Sequence, residues 1–157
     1  MRAGLGLAAL AAAAMLGCTT MSDDNPPRAT AGLHPTKGNK TEGEVTFEQL
    51  DGKVRVTAQV IGLKPNQEHG FHIHGVGDCS SGDGMSAKGH AGDLPNLKAD
   101  AKGRAHLQVE LDTITVTTGP ASIVGRAVII HALPDDYHSQ PTGNAGARMA
   151  CGVIRAG

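Results

Sequence analysis

Alternating apolar and polar residues recur along the chain with the period of a β-strand. In Gly43–Leu50, Lys53–Ile61 and Arg104–Leu111, apolar side chains fall on alternate positions, with polar or charged side chains between them. Because successive side chains of a strand point to opposite faces, each segment places one face on a core and the other in water. Turn residues such as Asp51 and Gly52 separate the segments, and no stretch has the spacing of an amphipathic helix.

Two further segments complete the predicted fold. Val124–Ala132 is apolar on both faces, which indicates a strand covered by the core on one side and by a long loop on the other. Met149–Ile154 predicts a short last strand. The whole pattern therefore predicts an all-β domain of about eight short strands, arranged as a sandwich or a flattened Greek-key barrel.

The N-terminal composition predicts export. Arg2 precedes Ala3–Leu16, an almost uninterrupted run of Ala, Leu and Gly that is too short for a membrane span with ordinary flanks. We therefore interpret residues 1–17 as a secretory signal peptide. The cysteine that follows, Cys18, completes a sequence that resembles a bacterial lipoprotein cleavage box, so we expect a lipidated, membrane-anchored periplasmic protein. Plain cleavage to a soluble periplasmic protein is the alternative.

The mature chain divides into a tether and one domain. Residues 18–30 are polar and contain two prolines, which is typical of a flexible tether behind a lipidated N-terminus. Residues 31–157 carry the strand pattern, with neither an internal repeat nor a second domain. The formal net charge is −1 and there is no basic run, so nothing in the sequence indicates nucleic-acid binding.

The cysteine count agrees with export. If Cys18 becomes the lipidated N-terminus, Cys79 and Cys151 remain as an even pair in an oxidising compartment. We expect a disulfide between them, which would tie the start of the glycine-rich loop that carries His90 and Asp93 to the last strand. In the chain-entropy account, closing so long a loop stabilises the fold by about 4 kcal/mol.

The candidate chemistry lies in Glu68–Asp93. Here Phe71 and Ile73 alternate with His72 and His74, so the two apolar side chains can fill the core while both imidazoles share the other face. A solvated strand face with two histidines is the alternative reading of that spacing. The glycine-rich loop that follows carries Cys79, His90 and Asp93.

The eight histidines fall into groups. His69 shares the inward face of Phe71, which predicts a hydrogen-bonded structural histidine, and His106 points outward with Gln108 into solvent. We assign no role to the two histidines in irregular stretches, His34 and His138. The candidate metal ligands that remain are His72, His74, His90 and His131.

Imidazoles without a thiolate suit copper or zinc. Spacing alone leaves redox copper and a three-histidine hydrolytic zinc site both open. A nearby cation would favour an anionic substrate, and Arg148 lies three residues before Cys151. The expected disulfide would carry this arginine toward the glycine-rich loop that holds His90 and Asp93. An ordinary surface arginine is the alternative.

Four segments in order resemble signatures of the copper–zinc superoxide dismutase family, in its bacterial exported branch. The segments are GFHIHGVGDC, HAGDLPNL, IVGRAVIIH and TGNAGARMACGVI, and the resemblance runs from about Leu33 to Ile154. It implies an Ig-like, eight-stranded Greek-key flattened barrel with two long functional loops. It also implies superoxide as substrate, with disproportionation to dioxygen and hydrogen peroxide by Cu(II)/Cu(I) cycling. A homodimer is among the oligomeric states it allows.

The resemblance gives roles to residues that match the motifs. His72 and His74 resemble the paired copper ligands of the family, and His131 resembles the third. Arg148 matches the arginine that guides and docks superoxide, and Asp135 matches an aspartate that hydrogen-bonds histidines of the two metal sites. The cysteine pair matches the family's disulfide.

The segment around His90 departs from the family pattern. The residues before His90 make it resemble the family's bridging histidine. The residues after it make it resemble the last zinc histidine, with Asp93 as the zinc carboxylate. The loop therefore resembles one from which a piece between two histidines has been removed. Because a closed zinc site needs four ligands, we expect copper without tightly bound zinc. For a copper-dependent dismutase we also expect activity to be impaired by the shortened loop. A non-catalytic copper-binding or copper-buffering protein on the same fold is the alternative.

Overall fold

The computed structural model describes residues 25–157. The predicted signal peptide and Cys18 lie outside the described residues, so both stay predictions. Among residues 25–157, no helix has the length and apolar character needed to span a membrane. The strands are β1 Arg28–Pro35, β2 Glu42–Leu50, β3 Lys53–Ile61, β4 Glu68–His74, β5 His90–Lys98, β6 Ala105–Leu111, β7 Ala127–His131, β8 Arg148–Val153 and β9 Arg155–Ala156.

The strands form one antiparallel sheet that curls into a nearly closed barrel. Their order is β5-β4-β7-β8-β1-β2-β3-β6, with the short β9 paired to β1. The two end strands, β5 and β6, approach each other. Helical structure in the described part is limited to one 3-10 turn, Met85–Ala87. The all-β, barrel-like fold predicted from the sequence is confirmed.

The core follows the alternation that the sequence predicts. In β3, Val54, Val56, Ala58 and Val60 are at most 1% exposed, and the residues between them face outward or lie part-buried. Phe71 of β4 is fully buried as well. Complete burial of a Val-, Ile- or Phe-sized side chain contributes about 1.5–3 kcal/mol, so these alternating rows supply most of the barrel's cohesion.

Strand β7 is covered on both sides, as its apolar sequence indicates. Val128 and Ile130 belong to the main core, whereas Ala127 and Ile129 pack with Ala87 in a second cluster under the loop 75–89. The strand begins at Ala127, three residues later than the predicted Val124–Ala132. The earlier residues form a turn instead, because the Arg126 N–H donates to the Ile123 carbonyl.

Two segments are extended where the sequence predicted irregular structure. His90 and Asp93, expected in a loop, lie on β5, which pairs with β4 and buries Leu94 and Leu97. This pairing provides hydrogen bonds for backbone groups along β4 that a loop would leave without partners. The strand was not predicted because glycine has a low strand propensity. Strand β1 begins at Arg28, inside the segment assigned to the tether, since it pairs with β2 and β9.

Candidate metal centre

Four histidines from three neighbouring strands converge at one end of the barrel. His72 and His74 come from β4, His90 from β5 and His131 from β7, and their ligand nitrogens all lie within 4.8 Å of one another. Strand β4 lies between the other two, and His74 is in register with His90. The four-histidine cluster therefore follows from strand order, which brings together residues that are up to 59 positions apart in the chain (131 − 72).

Three of the rings are held by a hydrogen bond on the nitrogen that points away from the cluster. His72 Nε2 donates to Asp135 Oδ2 at 2.5 Å, and His74 Nδ1 donates to the Lys88 carbonyl at 2.8 Å. His131 Nδ1 donates to the Gly146 carbonyl at 3.1 Å. Since each acceptor fixes the proton on one nitrogen, the other nitrogen carries a free lone pair for a metal.

Three buried ring nitrogens in the described residues have no hydrogen-bond partner. One is His69 Nε2, outside the cluster, and the other two are His72 Nδ1 and His90 Nε2, within it. A buried polar atom without a partner costs about 1–3 kcal/mol, and a metal ion would satisfy both atoms. His74 Nε2 and His131 Nε2 lie 3.4 Å apart in the same cluster. These residues therefore fit an ion that prefers imidazole, such as copper.

The cluster favours uncharged imidazoles. Burial, together with the nearby Arg148 guanidinium and neighbouring imidazoles, lowers the pKa of His74 to about 3, although the hydrogen bond to the Lys88 carbonyl acts in the opposite direction. Burial likewise lowers the pKa of His131 to about 4. For His90, burial lowers the pKa, while Asp93 acts in the opposite direction. Neutral imidazole is the form that binds metal, so at neutral pH no proton has to leave these rings.

Asp135, which orients His72, is itself fixed on several sides. It is 6% exposed, and the Tyr137 N–H donates to its Oδ1 at 2.6 Å. The Asp135 N–H donates to Asn96 Oδ1, and Asn96 Nδ2 donates to the Asp135 carbonyl, both at 2.9 Å. Gly143 leaves room for the carboxylate, because a Cβ there would lie 2.1 Å from Asp135 Oδ1.

Sequence reasoning missed the roles of Asn96 and Tyr137. Asn96 lies in the HAGDLPNL segment, 39 residues from Asp135, and that separation gave no sign of their pairing. The Asn96 N–H also donates to the Tyr137 hydroxyl at 2.7 Å, which ties β5 to the loop after β7. A buried polar residue within an apolar strand is the signal that would have identified Asn96.

The candidate zinc ligands, His90 and Asp93, do not form a complete coordination site. His90 Nδ1 lies 3.4 Å from Asp93 Oδ1, and Asp93 is 56% exposed. Of the described residues, Asp135 is the other carboxylate near them, and it already bonds His72 and Tyr137. A cavity of about 410 Å³, called the side cavity below, adjoins His90 and Asp93. This arrangement does not fit a closed four-ligand zinc site.

Of the remaining histidines, His34 alone lies elsewhere than the sequence indicated. His69 is fully buried, and its Nδ1 donates to the His131 carbonyl at 2.9 Å, which confirms the structural role predicted for it. His106 is exposed on β6 and His138 is exposed in an irregular stretch, both as expected. His34 is exposed too, but it lies on β1, because the backbone there pairs with Cys151 of β8. A cavity of about 810 Å³ lies beside His34 and His106, but none of the four clustered histidines lines it.

The predicted disulfide is present, and Arg148 contacts the loop 75–89. Cys79 and Cys151 are bonded across a sequence separation of 72 residues. Arg148 Nη1 donates to the Gly84 carbonyl at 2.8 Å, and its Nη2 donates to the Lys88 carbonyl at 2.6 Å. Burial lowers the pKa of this guanidinium from its ordinary value, but the group stays charged.

An opening leads from the surface to the cluster. A cavity of about 360 Å³, called the access cavity below, is lined by His90, His131 and Arg148, together with Met85 and residues of the loop 132–147. The arrangement thus combines imidazoles on a cavity wall with a cation beside them. Such a site can bind a transition metal and attract a small anion to it.

Comparison with known proteins identifies relatives over most of the chain. A sequence model of the family described as copper/zinc superoxide dismutase (SODC) matches residues 41–90 and 82–154. Superoxide dismutase [Cu-Zn] 1 of Aquifex aeolicus (strain VF5) is 38% identical over 140 residues, covering 76% of this chain and 82% of the relative. Superoxide dismutase [Cu-Zn] of Schizosaccharomyces pombe is 41% identical over 140 residues, covering 74% and 90%.

Solved structures show the same similarity in three dimensions. The crystal structure of the clock protein EA4 is 38% identical in sequence and superposes with a TM-score of 0.74, covering 83% of this chain and 95% of that one. A double mutant of a SOD-like protein from Bacillus subtilis is 31% identical, with a TM-score of 0.72 over 78% of this chain and 94% of that one.

Proposed function

Since the chain belongs to the copper/zinc superoxide dismutase family, we propose that it is a superoxide dismutase that holds copper in the four-histidine cluster. The observation that carries this proposal is the pair of buried, unpartnered nitrogens, His72 Nδ1 and His90 Nε2, beside two further imidazoles. The family's ordinary copper ligands and a fourth imidazole are thus available without rearrangement of the strands.

Bound copper supplies the one-electron chemistry, by which one superoxide leaves as dioxygen and another takes up two protons as hydrogen peroxide. The chain's own residues prepare the place. Asp135 and the carbonyls of Lys88 and Gly146 hold three rings in fixed tautomers, so none of these three rings would have to turn to hold a copper ion. Burial keeps the imidazoles of His74 and His131 neutral.

Arg148 is proposed to bring the substrate to the cluster. Its guanidinium lines the access cavity with His90 and His131, and two backbone carbonyls hold it there. A cation at the mouth of a narrow cavity raises the local concentration of a small anion and accelerates its arrival. Asp93, which would repel the same anion, faces the separate side cavity.

We further propose that the segment around His90 is shortened and that zinc therefore does not bind tightly. Residues 82–90 fall within both matches to the family, as expected if the flanks of two histidines are joined there. The alignment with the Aquifex protein extends over 140 positions but includes about 119 residues of this chain (76% of 157). This difference supports the proposed shortening.

Export and lipidation belong to the proposal as well. The apolar run before Cys18 supports a signal peptide and a lipid anchor in the bacterial periplasm. The disulfide is the kind of bond that persists in such an oxidising compartment. Mass spectrometry of the protein from a secreting host tests both features, since cleavage before Cys18 with added acyl mass is expected. An unprocessed N-terminus would contradict them.

A copper-binding or copper-buffering protein is the second candidate, and the incomplete carboxylate side of His90 favours it. Two measurements on one sample separate the functions. Elemental analysis of the purified mature protein should give about one copper per chain with negligible zinc. Superoxide decay followed by stopped flow should then show copper-dependent dismutation. Stoichiometric copper without dismutation would establish the binding protein instead, and equal copper and zinc would contradict the proposed loss of zinc.

A further inference from the structure

Met85 is an exposed thioether beside the access cavity. At 56% it has the highest exposure among the large apolar residues that are exposed in residues 25–157. It lines the same cavity as His90 and His131, whereas the other long side chains there, including Arg148 and Asn144, are polar. Exposure of an apolar side chain beside this cavity brings no packing benefit, so the chemistry of the thioether is the more informative property.

The backbone fixes Met85 in this position. Gly84 adopts a left-handed conformation with φ 76°, and its carbonyl accepts the bond from Arg148 Nη1. The Met85 N–H donates to Asp83 Oδ1 at 3.0 Å, and the Met85 carbonyl accepts from the Lys88 N–H at 3.0 Å. The same short turn that anchors Arg148 therefore anchors the thioether.

No other soft donor lines the access cavity in the described part of the chain. Cys79 and Cys151 are joined in the disulfide. Met149, the other methionine of residues 25–157, lines a different cavity with Lys40 and Lys64. Thioether sulfur is a ligand that selects Cu(I), whereas imidazole accepts both oxidation states of copper.

We infer that Met85 is an entry ligand for Cu(I). The thioether takes the ion from its carrier at the surface, and the ion then passes to His90 and His131, which line the same cavity. The step is a ligand exchange without a change of oxidation state: the bond from copper to its carrier gives way to copper–sulfur, and that in turn to copper–nitrogen. The inference rests on the proposed copper site in the four-histidine cluster.

Transfer kinetics under oxygen-free conditions test this role. Metal-free protein in excess is mixed with the purple Cu(I)–bicinchoninate complex, and loss of colour reports transfer of the ion. Met85→Leu keeps the apolar volume but removes the sulfur. We expect the variant to accept Cu(I) about five- to tenfold more slowly, since a tenfold rate change corresponds to about 1.4 kcal/mol of barrier. Its final Cu(I) stoichiometry and its Cu(II) affinity should match those of the unchanged protein.

Met149→Leu is the matched control and should transfer Cu(I) at the unchanged rate. Equal slowing in both variants, or a Met85→Leu rate within twofold of the unchanged protein, would overturn the entry role alone. A loss of Cu(II) affinity in Met85→Leu would also overturn it, by making Met85 a permanent ligand. Failure of the unchanged protein to take up any Cu(I) would instead remove the proposed copper site together with this inference.

Discussion

The two nitrogens of His90 face two differently built regions. On the Nε2 side are three imidazoles, each at most 3% exposed and each held by a hydrogen bond on its second nitrogen. On the Nδ1 side is Asp93, which is 56% exposed and borders the side cavity. One histidine thus separates a region arranged for a metal from one that provides a single further ligand.

The difference shows that a residue's position in the sheet decides whether its side chain is fixed before a metal binds. His72 and His74 lie on β4, which has a partner strand on each side, and loops bring Asp135 and Lys88 to their outer nitrogens. Asp93 lies on β5, at the end of the sheet order. A ligand that is fixed before binding loses less conformational entropy, so affinity should concentrate on the Nε2 side.

Removal of a ligand on the Nε2 side should have the largest effect. His72→Ala eliminates one of the cluster's two unpartnered nitrogens and the hydrogen bond that this ring donates to Asp135. We expect Cu(II) affinity to fall by more than about 100-fold, since loss of a ligand's supporting partner alone costs 10–100-fold. Competition titration against a chelator measures this. His106→Ala, at an exposed histidine, should retain full affinity; unchanged affinity in His72→Ala would place the copper elsewhere.

Asp135→Asn removes the charge that orients His72 but nearly preserves its shape. Copper affinity should fall about 10–100-fold, because the ring loses the partner that fixes its tautomer. The electron paramagnetic resonance spectrum of the Cu(II) form should broaden as the ring becomes less well oriented. A variant with the affinity and spectrum of the unchanged protein would show that backbone packing alone positions His72.

Acidification should destabilise the metal-free protein through the buried histidines His74 and His131. The folded pKa values of His74 and His131 are lowered to about 3 and about 4, so the unfolded chain binds more protons between those values and pH 6.5. The free energy of unfolding should therefore fall as pH drops below 6.5, by at most about 1.4 kcal/mol per pH unit for each histidine. Urea denaturation at several pH values checks this; a stability independent of pH in that window would contradict it.

Arg148→Gln tests the charge at the mouth of the access cavity. We expect the second-order rate with superoxide to fall about tenfold and its dependence on salt to weaken, because steering of a small anion is electrostatic. Stopped-flow decay of superoxide at several ionic strengths gives both quantities on copper-loaded protein. Arg126→Gln, at an arginine that does not line the access cavity, is the control. A rate and salt dependence that do not change would remove the steering role.

Asp93→Asn should have the smallest effect, although Asp93 faces the same histidine. Copper affinity should change by less than about threefold, since an exposed carboxylate contributes little and its field is screened by water. The same competition titration applies, with Asp135→Asn as the contrasting variant. A loss comparable to that of Asp135→Asn would show that both sides of His90 act as one site.

Local patterns in the sequence were sufficient for much of the architecture. The alternation in Lys53–Ile61 predicted the buried face of β3, and the doubly apolar Val124–Ala132 predicted the covered strand β7. The spacing of His72 and His74 placed both imidazoles on one face of β4. These predictions succeeded because the two-residue period of a strand is a property of neighbouring residues, which the sequence displays directly.

Tertiary structure alone decided how the site is completed. The sequence placed His90 and Asp93 in a loop, whereas pairing with β4 makes them part of β5. The backbone carbonyls of Lys88 and Gly146 fix two of the rings. The sequence gives no sign of this role, because every residue has a backbone carbonyl. The chain itself therefore specifies which side chains are available for a metal, and strand order and loop closure decide which nitrogens are free to bind it.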